Sequence, residues 1–299
     1  MSILVLGTVA LDSVKTPFGK RSQMLGGSAV HFAMSARLFT DVNLVAIVGE
    51  DFPLKYLDFL QEKGINLTSL IKTKGETFRW RGEYRDDLNV AITLNTELGV
   101  LLDFKPDVSH RERHIRNIFL ANVDPDLQHS LLKRMHAPSL VGLDSMNYWI
   151  RHKRNSLLRL LKKVNIYVAN DQEARELSGE HNLIKAAQAL HRRGPDMILI
   201  KKGEHGVTVY SDKMIFSIPA FPTTKVIDPT GAGDTFAGGF MGYLSRLKRV
   251  GTKDIKKAVA YGTIAASFNV EGFGTEKTST FTLREVESRL KFFKKCISL

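Results

Sequence analysis

Short, continuously apolar runs at residues 3–7, 44–48, 118–121, 140–143, 165–169 and 197–200, most of them separated by stretches of helical spacing, constrain this chain most. A strand that is apolar on both faces must be covered on both faces, the condition of a parallel sheet joined by crossover helices. The alternation predicts an α/β fold, a doubly wound and mostly parallel sheet flanked by helices. Helices are read at about 28–39 and 54–63. Segments 207–210 and 214–218 read as an antiparallel pair across Ser211-Asp-Lys213, and three helices close the chain.

Two regions break the alternation. Residues 13–25 are polar and irregular, with Pro17 and Gly19, and residues 77–84 alternate in a half-exposed way, answered by 89–94. They predict a small β lid formed by about 13–25 and 76–100, outside the main sheet. With 299 residues two domains are allowed by length, but α/β folds of this size often form one. No linker or fixed-period repeat divides residues 1–299, so a single domain is expected.

Composition excludes some classes. With 43% hydrophobic and 25% charged residues and no apolar run of membrane length, neither a disordered nor a membrane protein is expected. The opening Met1-Ser-Ile-Leu-Val-Leu-Gly7 has no basic leader region, and Cys296 is the only cysteine. Both features point to the cytoplasm and exclude an intramolecular disulfide or a zinc cluster. The formal charge of +12 raises the question of nucleic acid, but the basic residues are scattered through helical segments such as 151–163 and 284–295. With no motif to organise them they read as a solvated surface, so no nucleic-acid partner is expected and the excess favours anionic ligands.

The chemistry concentrates in Asp228-Pro-Thr-Gly-Ala-Gly-Asp-Thr-Phe-Ala-Gly-Gly-Phe240. A glycine turn opening a helix leaves the N–H groups of Gly231, Ala232 and Gly233 without carbonyl acceptors, a ready anion site, with Asp234 directly behind it. Phe236, Phe240, Tyr243, Leu244 and Leu247 then recur at helical spacing, and Ala237, Gly238 and Gly239 keep the flank thin enough for close packing. Other nucleotide motifs fail: the third glycine of a dinucleotide fingerprint would fall on Phe236, and Gly239 stands where a P-loop requires lysine. A glycine turn before a core helix, with Asp234 merely favourable to the helix dipole, is the bland alternative.

This stretch resembles the C-terminal signature of the ribokinase-like carbohydrate kinases, the PfkB family. The resemblance implies that Gly231, Ala232 and Gly233 form the anion hole for the γ-phosphate of ATP and that Asp234 takes the proton of the attacking hydroxyl. Gly26-Gly-Ser-Ala-Val-His-Phe-Ala33 resembles the N-terminal signature, whose paired glycines, here Gly26 and Gly27, and a following polar residue contact the sugar; His31 stands where asparagine is usual. Physically the segment is equally a tight turn capped by Ser28. Asp12 falls where the family places its acceptor-binding aspartate, a carboxylate able to accept from two neighbouring hydroxyls.

Asn170-Asp-Gln-Glu173 resembles the Asn-x-x-Glu motif that orders water around Mg²⁺ and the phosphates, and is also a capping box. Lys201, Gly203 and Gly206 fall in a segment resembling the lining of the nucleotide's ribose and phosphates; the lysine reads equally as surface charge beside a hairpin turn. The adenine pocket is implied across 261–274, beginning at Tyr261. Asp228 and Glu173 are the metal candidates, Asp228 toward a monovalent cation that some relatives use. Phe78, Trp80 and Tyr84 on the lid either stack on a substrate or simply pack. In relatives such hairpins cover the acceptor and pair between subunits, which implies a homodimer through the lid.

The motifs run in family order along nearly the whole chain. They imply phosphorylation, by ATP and Mg²⁺, of an alcohol on a sugar or a similar small polyhydroxylated compound. A nucleoside kinase of the same fold and a catalytically silent sugar or nucleotide sensor are the alternatives.

Overall fold

A computed structural model of the chain describes residues 1–298. The chain opens with β1 (Ser2–Leu6), makes the hairpin β2 (Ala10–Thr16) and β3 (Gly19–Gly26), and continues through α1 (Ser28–Ala36), β4 (Asp41–Gly49) and α2 (Leu54–Glu62). Two short strands, β5 (Ile65–Asn66) and β6 (Leu70–Thr73), precede a second hairpin, β7 (Arg79–Glu83) and β8 (Ile92–Glu97). Strand–helix alternation resumes with β9 (Asn117–Leu120), α3 (Pro125–Arg134), β10 (Leu140–Asp144), α4 (Asn147–His152) and α5 (Arg154–Leu161). It continues with β11 (Ile166–Asn170), α6 (Asp171–Ser178), α7 (Leu183–His191) and β12 (Met197–Lys201). The antiparallel β13 (Val207–Ser211) and β14 (Met214–Ile218) follow, then α8 (Ala232–Ser245), α9 (Thr252–Asn269) and α10 (Leu283–Ile297).

The main sheet runs β14-β13-β12-β11-β10-β9-β1-β4-β5, with β6 also on β4. Every pair from β12 to β5 is parallel; β13 runs opposite to β12, and β14, antiparallel to β13, returns to the common direction. Successive residues of β1 feed opposite cores: Ile3 and Val5 join α1, α8 and α9, whereas Leu4 and Leu6 join α3, α5, α6 and α7. That two-faced burial is why the strands read as unbroken apolar runs. On the first face α8 lies close against α1, because Cβ atoms at Gly238 and Gly242 would collide with Phe32 O and crowd Ala36.

From β1 the chain goes first to β4 on one side and later to β9 on the other. Loops leaving the carboxyl ends diverge at such a reversal and open a crevice, where α/β sheets bind their ligands. The two hairpins form a separate sheet, β3-β2-β7-β8, beside this edge. Its centre is the parallel pair β2–β7, flanked by antiparallel β3 and β8.

Three readings change in detail. The lid begins before residue 13, since Asp12 lies within β2 and pairs with Trp80 of β7. Helix α1 ends at Ala36 rather than at about residue 39, and β5 and β6 have no apolar run long enough to announce them. Among the described residues no helix is long and apolar enough to cross a membrane.

Candidate active site

The turn before α8 is closed by its own backbone. Gly231 takes φ 74° and ψ 2°, a left-handed conformation open to glycine, and the Ala232 N–H donates to Pro229 O at 3.1 Å. Of the three amides expected to be free, that of Ala232 is therefore spent inside the turn. Those of Gly231 and Gly233, and also that of Asp234, meet no protein acceptor. They sit at the positive end of a 14-residue helix, which suits an anion.

Behind the turn one cation faces three carboxylates. Lys201, at the end of β12, donates to Asp144 Oδ2 at 2.9 Å, and a Cβ on Gly233 would lie 2.8 Å from its Nζ. Burial opposes the ammonium, but Asp144, followed by Glu173 and Asp234, outweighs it and raises Lys201 above the ordinary lysine range. A single positive charge cannot satisfy all three acids. Burial, then the charge of Asp144, raises Asp234 to about 8 against the pull of Lys201. The same order of causes raises Glu173 to about 8. Asp234 is half-buried and its carboxylate meets no protein donor, leaving it available as a proton acceptor.

The turn forms one wall of a cavity of about 690 Å³. Lys201, Gly203 and Gly206 line one side, Phe221 and Val226 another, and Thr263 and Ser267 of α9 a third. A lid loop, Asp86 to Asn89, reaches over it, and Asn89 Nδ2 lies 3.4 Å from Glu204 Oε1. The lid also touches the turn: Thr230 Oγ1 donates to Tyr84 Oη at 3.3 Å.

The other sequence candidates separate into three groups. Asp12 is buried beside the glycine pair and accepts from the Gly27 N–H at 3.2 Å; burial raises its carboxyl to about 7, with that hydrogen bond opposing and Asp228 adding to the rise. Asn170 and Glu173 form the reciprocal capping box at 2.7 Å each way, and the second carboxylate oxygen of Glu173 has no protein donor. Asp228 is fully buried, accepting from Thr230 N at 2.9 Å and Gly274 N at 3.1 Å.

Tyr261 is not brought to the cavity. It packs against Phe39 and Tyr243 at ring-centroid distances of 4.9 Å each, and it is Thr263, Ala266 and Ser267 further along α9 that face the opening. His31 lies beneath Gly231 rather than in an open acceptor pocket. Two residues were missed. Asp144 had a signal, an acid ending an apolar strand as Asp12 follows one; Asn269, near the end of α9, had none in the sequence pattern.

A mostly parallel α/β sheet with a β lid, and a glycine turn whose free amides stand beside an unpaired acid, is the arrangement of the ribokinase-like, ATP-dependent phosphotransferases. The match to the pfkB family carbohydrate kinases over residues 11–281 places the chain in that family, whose members act on sugars or nucleosides. It is 32% identical over 252 residues to the cytidine kinase of Thermococcus kodakarensis, covering 82% of this chain and 89% of that protein. The crystal structure of Methanocaldococcus jannaschii nucleoside kinase superposes with a TM-score of 0.79 at 23% identity, covering 97% and 98% of the two chains. Aminoimidazole riboside kinase from Salmonella enterica, complexed with aminoimidazole riboside and an ATP analog, gives 0.76 at 18% identity over 97% and 100%.

Proposed function

We propose that this kinase transfers the γ-phosphate of ATP to a ribose hydroxyl of a nucleoside, with Asp234 as general base and the Gly231–Gly233 turn as anion hole. The observation that carries the reading is the juxtaposition of an unpaired, partly exposed carboxylate with free backbone amides at one helix N-terminus. Asp234 would accept the hydroxyl proton as the O–P bond forms, while the amides of Gly231 and Gly233 meet the charge on the phosphoryl group. Lys201 supports the phosphate side from beneath Gly233, and Asp12 is placed to accept from acceptor hydroxyls.

A nucleoside is favoured over a simple sugar by aromatic surface near the glycine pair. Ser28 donates to Asn122 O at 3.2 Å, and Asn122 Oδ1 accepts from Trp149 Nε1 at 3.1 Å. Tyr148 and Met146 beside Trp149 are 48% and 37% exposed, apolar surface available to a base. The relative acting on cytidine supports the same class.

Glu173 and Asn170 fit Mg²⁺ through water, because one Glu173 oxygen remains open while the capping box fixes the other. Among the described residues no group of three or more His, Cys, Asp or Glu is arranged to hold a metal; Mg²⁺ in such sites keeps several waters and takes ligands from substrate phosphates. When bound, the ion neutralises phosphate charge. A monovalent cation at Asp228 fits less well. Both carboxylate oxygens already accept backbone N–H groups, and the Thr230 carbonyl accepts from Asn269 Nδ2 at 2.7 Å, so no step is assigned to such an ion.

The test is ATP-dependent phosphorylation of a panel of ribonucleosides, deoxynucleosides, pentoses, hexoses and polyols, with products identified by mass. Cytidine or another nucleoside should give the highest kcat/KM. A free sugar preferred over every nucleoside would overturn the acceptor assignment, and ATP binding without transfer to any of them would favour a sensor.

A further inference from the structure

We infer that His31 and Asn269 are positioning residues that hold the phosphate-binding turn from below, and that His31 is not an acceptor ligand. The inference rests on the reading of that turn as the γ-phosphate site. The Thr230 carbonyl can only accept, so the Asn269 atom 2.7 Å away must be its Nδ2 donor. Asn269 Oδ1 then faces Thr235 Oγ1 at 2.9 Å and His31 Nδ1 at 3.2 Å, and both of these must donate. His31 is thereby held as the Nδ1–H tautomer.

The ring itself is the floor of the turn. A Cβ on Gly231 would collide with the His31 imidazole, 2.3–2.4 Å from three of its ring atoms, so this left-handed residue rests directly on the ring. His31 is 2% exposed and its Nε2 is buried without a protein partner. Burial lowers the imidazole below the usual histidine range, against the opposing charge of Asp228, so it stays neutral and adds no second cation under the turn. Thr230 is consequently gripped on several sides: its N–H by Asp228, its carbonyl by Asn269 and its hydroxyl by Tyr84. An anion hole works by being organised before charge develops, and these contacts supply the rigidity.

The experiment compares wild type with His31→Phe, Asn269→Ala and the double variant. Affinities for ADP and for the β,γ-imido analogue of ATP are read by titration calorimetry, alongside kcat and acceptor KM. His31→Phe keeps a flat ring under Gly231 but removes the donor. It should lower kcat about 3- to 10-fold, the effect of one hydrogen bond, and shrink the preference for the ATP analogue over ADP by a similar factor. Acceptor KM should stay within about twofold. Asn269→Ala should lose more, and the double variant no more than Asn269→Ala alone, because His31 acts through Asn269. If Asn269→Ala fails to fold, His31→Phe alone still decides. A tenfold rise in acceptor KM with kcat intact would make His31 a substrate ligand and overturn the proposal, as would an unchanged nucleotide preference. Wild type showing no preference for the γ-phosphate would instead defeat the reading of the turn.

Discussion

Lys201 Nζ donates to Asp144 Oδ2 at 2.9 Å directly beneath Gly233, so the cation under the glycine turn is fixed by a buried acid rather than left to solvent. The Lys201 side chain is 18% exposed and that of Asp144 5%, so removing one partner strands a buried charge. Lys201→Met should destabilise the fold by about 3–5 kcal/mol, and Lys201→Met combined with Asp144→Leu should recover most of that loss. Urea denaturation of both variants checks it. Equal destabilisation by the single and double variants would mean that the pair is not what matters.

Asp234→Asn should retain nucleotide affinity while turnover falls roughly 10²-fold or more, the scale of a lost general base. Calorimetric ADP binding and steady-state kinetics separate the two effects. Undiminished turnover would remove Asp234 from the chemistry.

The pH profile follows from the raised carboxyls. In the free enzyme Asp234 must lose its proton to act, so kcat/KM should climb through a pH of about 8. Asp144→Asn removes a repelling charge and should move that limb to lower pH, whereas Lys201→Met should move it higher. The stability consequence has the opposite sense. A carboxyl whose folded value lies above its unfolded value leaves the folded state binding more protons, so stability falls as pH rises from about 4 toward 8. Asp234→Asn should therefore melt above wild type at pH 8, with the gap closing toward pH 4. A gap that widens on acidification would show that burial does not raise this group.

Gly203 has φ 55°, and a Cβ there would collide with Asn89 Oδ1 of the lid loop. Gly203→Ala should raise the KM for ATP several-fold, and Gly203→Ala with Asn89→Ala should relieve part of the rise, leaving a cost of roughly 1 kcal/mol for the left-handed backbone. An unchanged KM in both variants would place the lid tip away from the nucleotide.

Tyr84→Phe deletes the hydroxyl that ties the lid to Thr230. Phosphoryl transfer should fall about fivefold, the size of one hydrogen bond, while ATP hydrolysis without acceptor becomes a larger share of turnover. Product analysis for phosphorylated acceptor against free phosphate reads both.

The apolar strands and the glycine turn were legible because each is set by local chemistry. A strand buried on both faces has no polar alternation, and a phosphate turn needs glycine where the chain turns left-handed. His31 and Tyr261 show where that legibility stops. Both sit in helices, and the sequence carries the motif position of each but not which way its side chain faces. Tyr261 packs into an aromatic cluster away from the opening, with Phe39 and Tyr243. His31 turns under Gly231, 200 residues later in the chain.

What the sequence determined alone was therefore the layered sheet and the position of Asp234 directly behind a glycine turn that opens a helix. Periodicity and backbone conformation are properties of neighbouring residues. What only tertiary structure decided was the electrostatic state of the site: that Asp144 holds Lys201, that burial and then the charge of Asp144 raise Asp234 against the pull of Lys201, and that Asn269 secures Thr230. Charge interaction and hydrogen bonding depend on distance and burial through space, and the pairs Asn269–Thr230 and Lys201–Asp144 lie 39 and 57 positions apart in the chain.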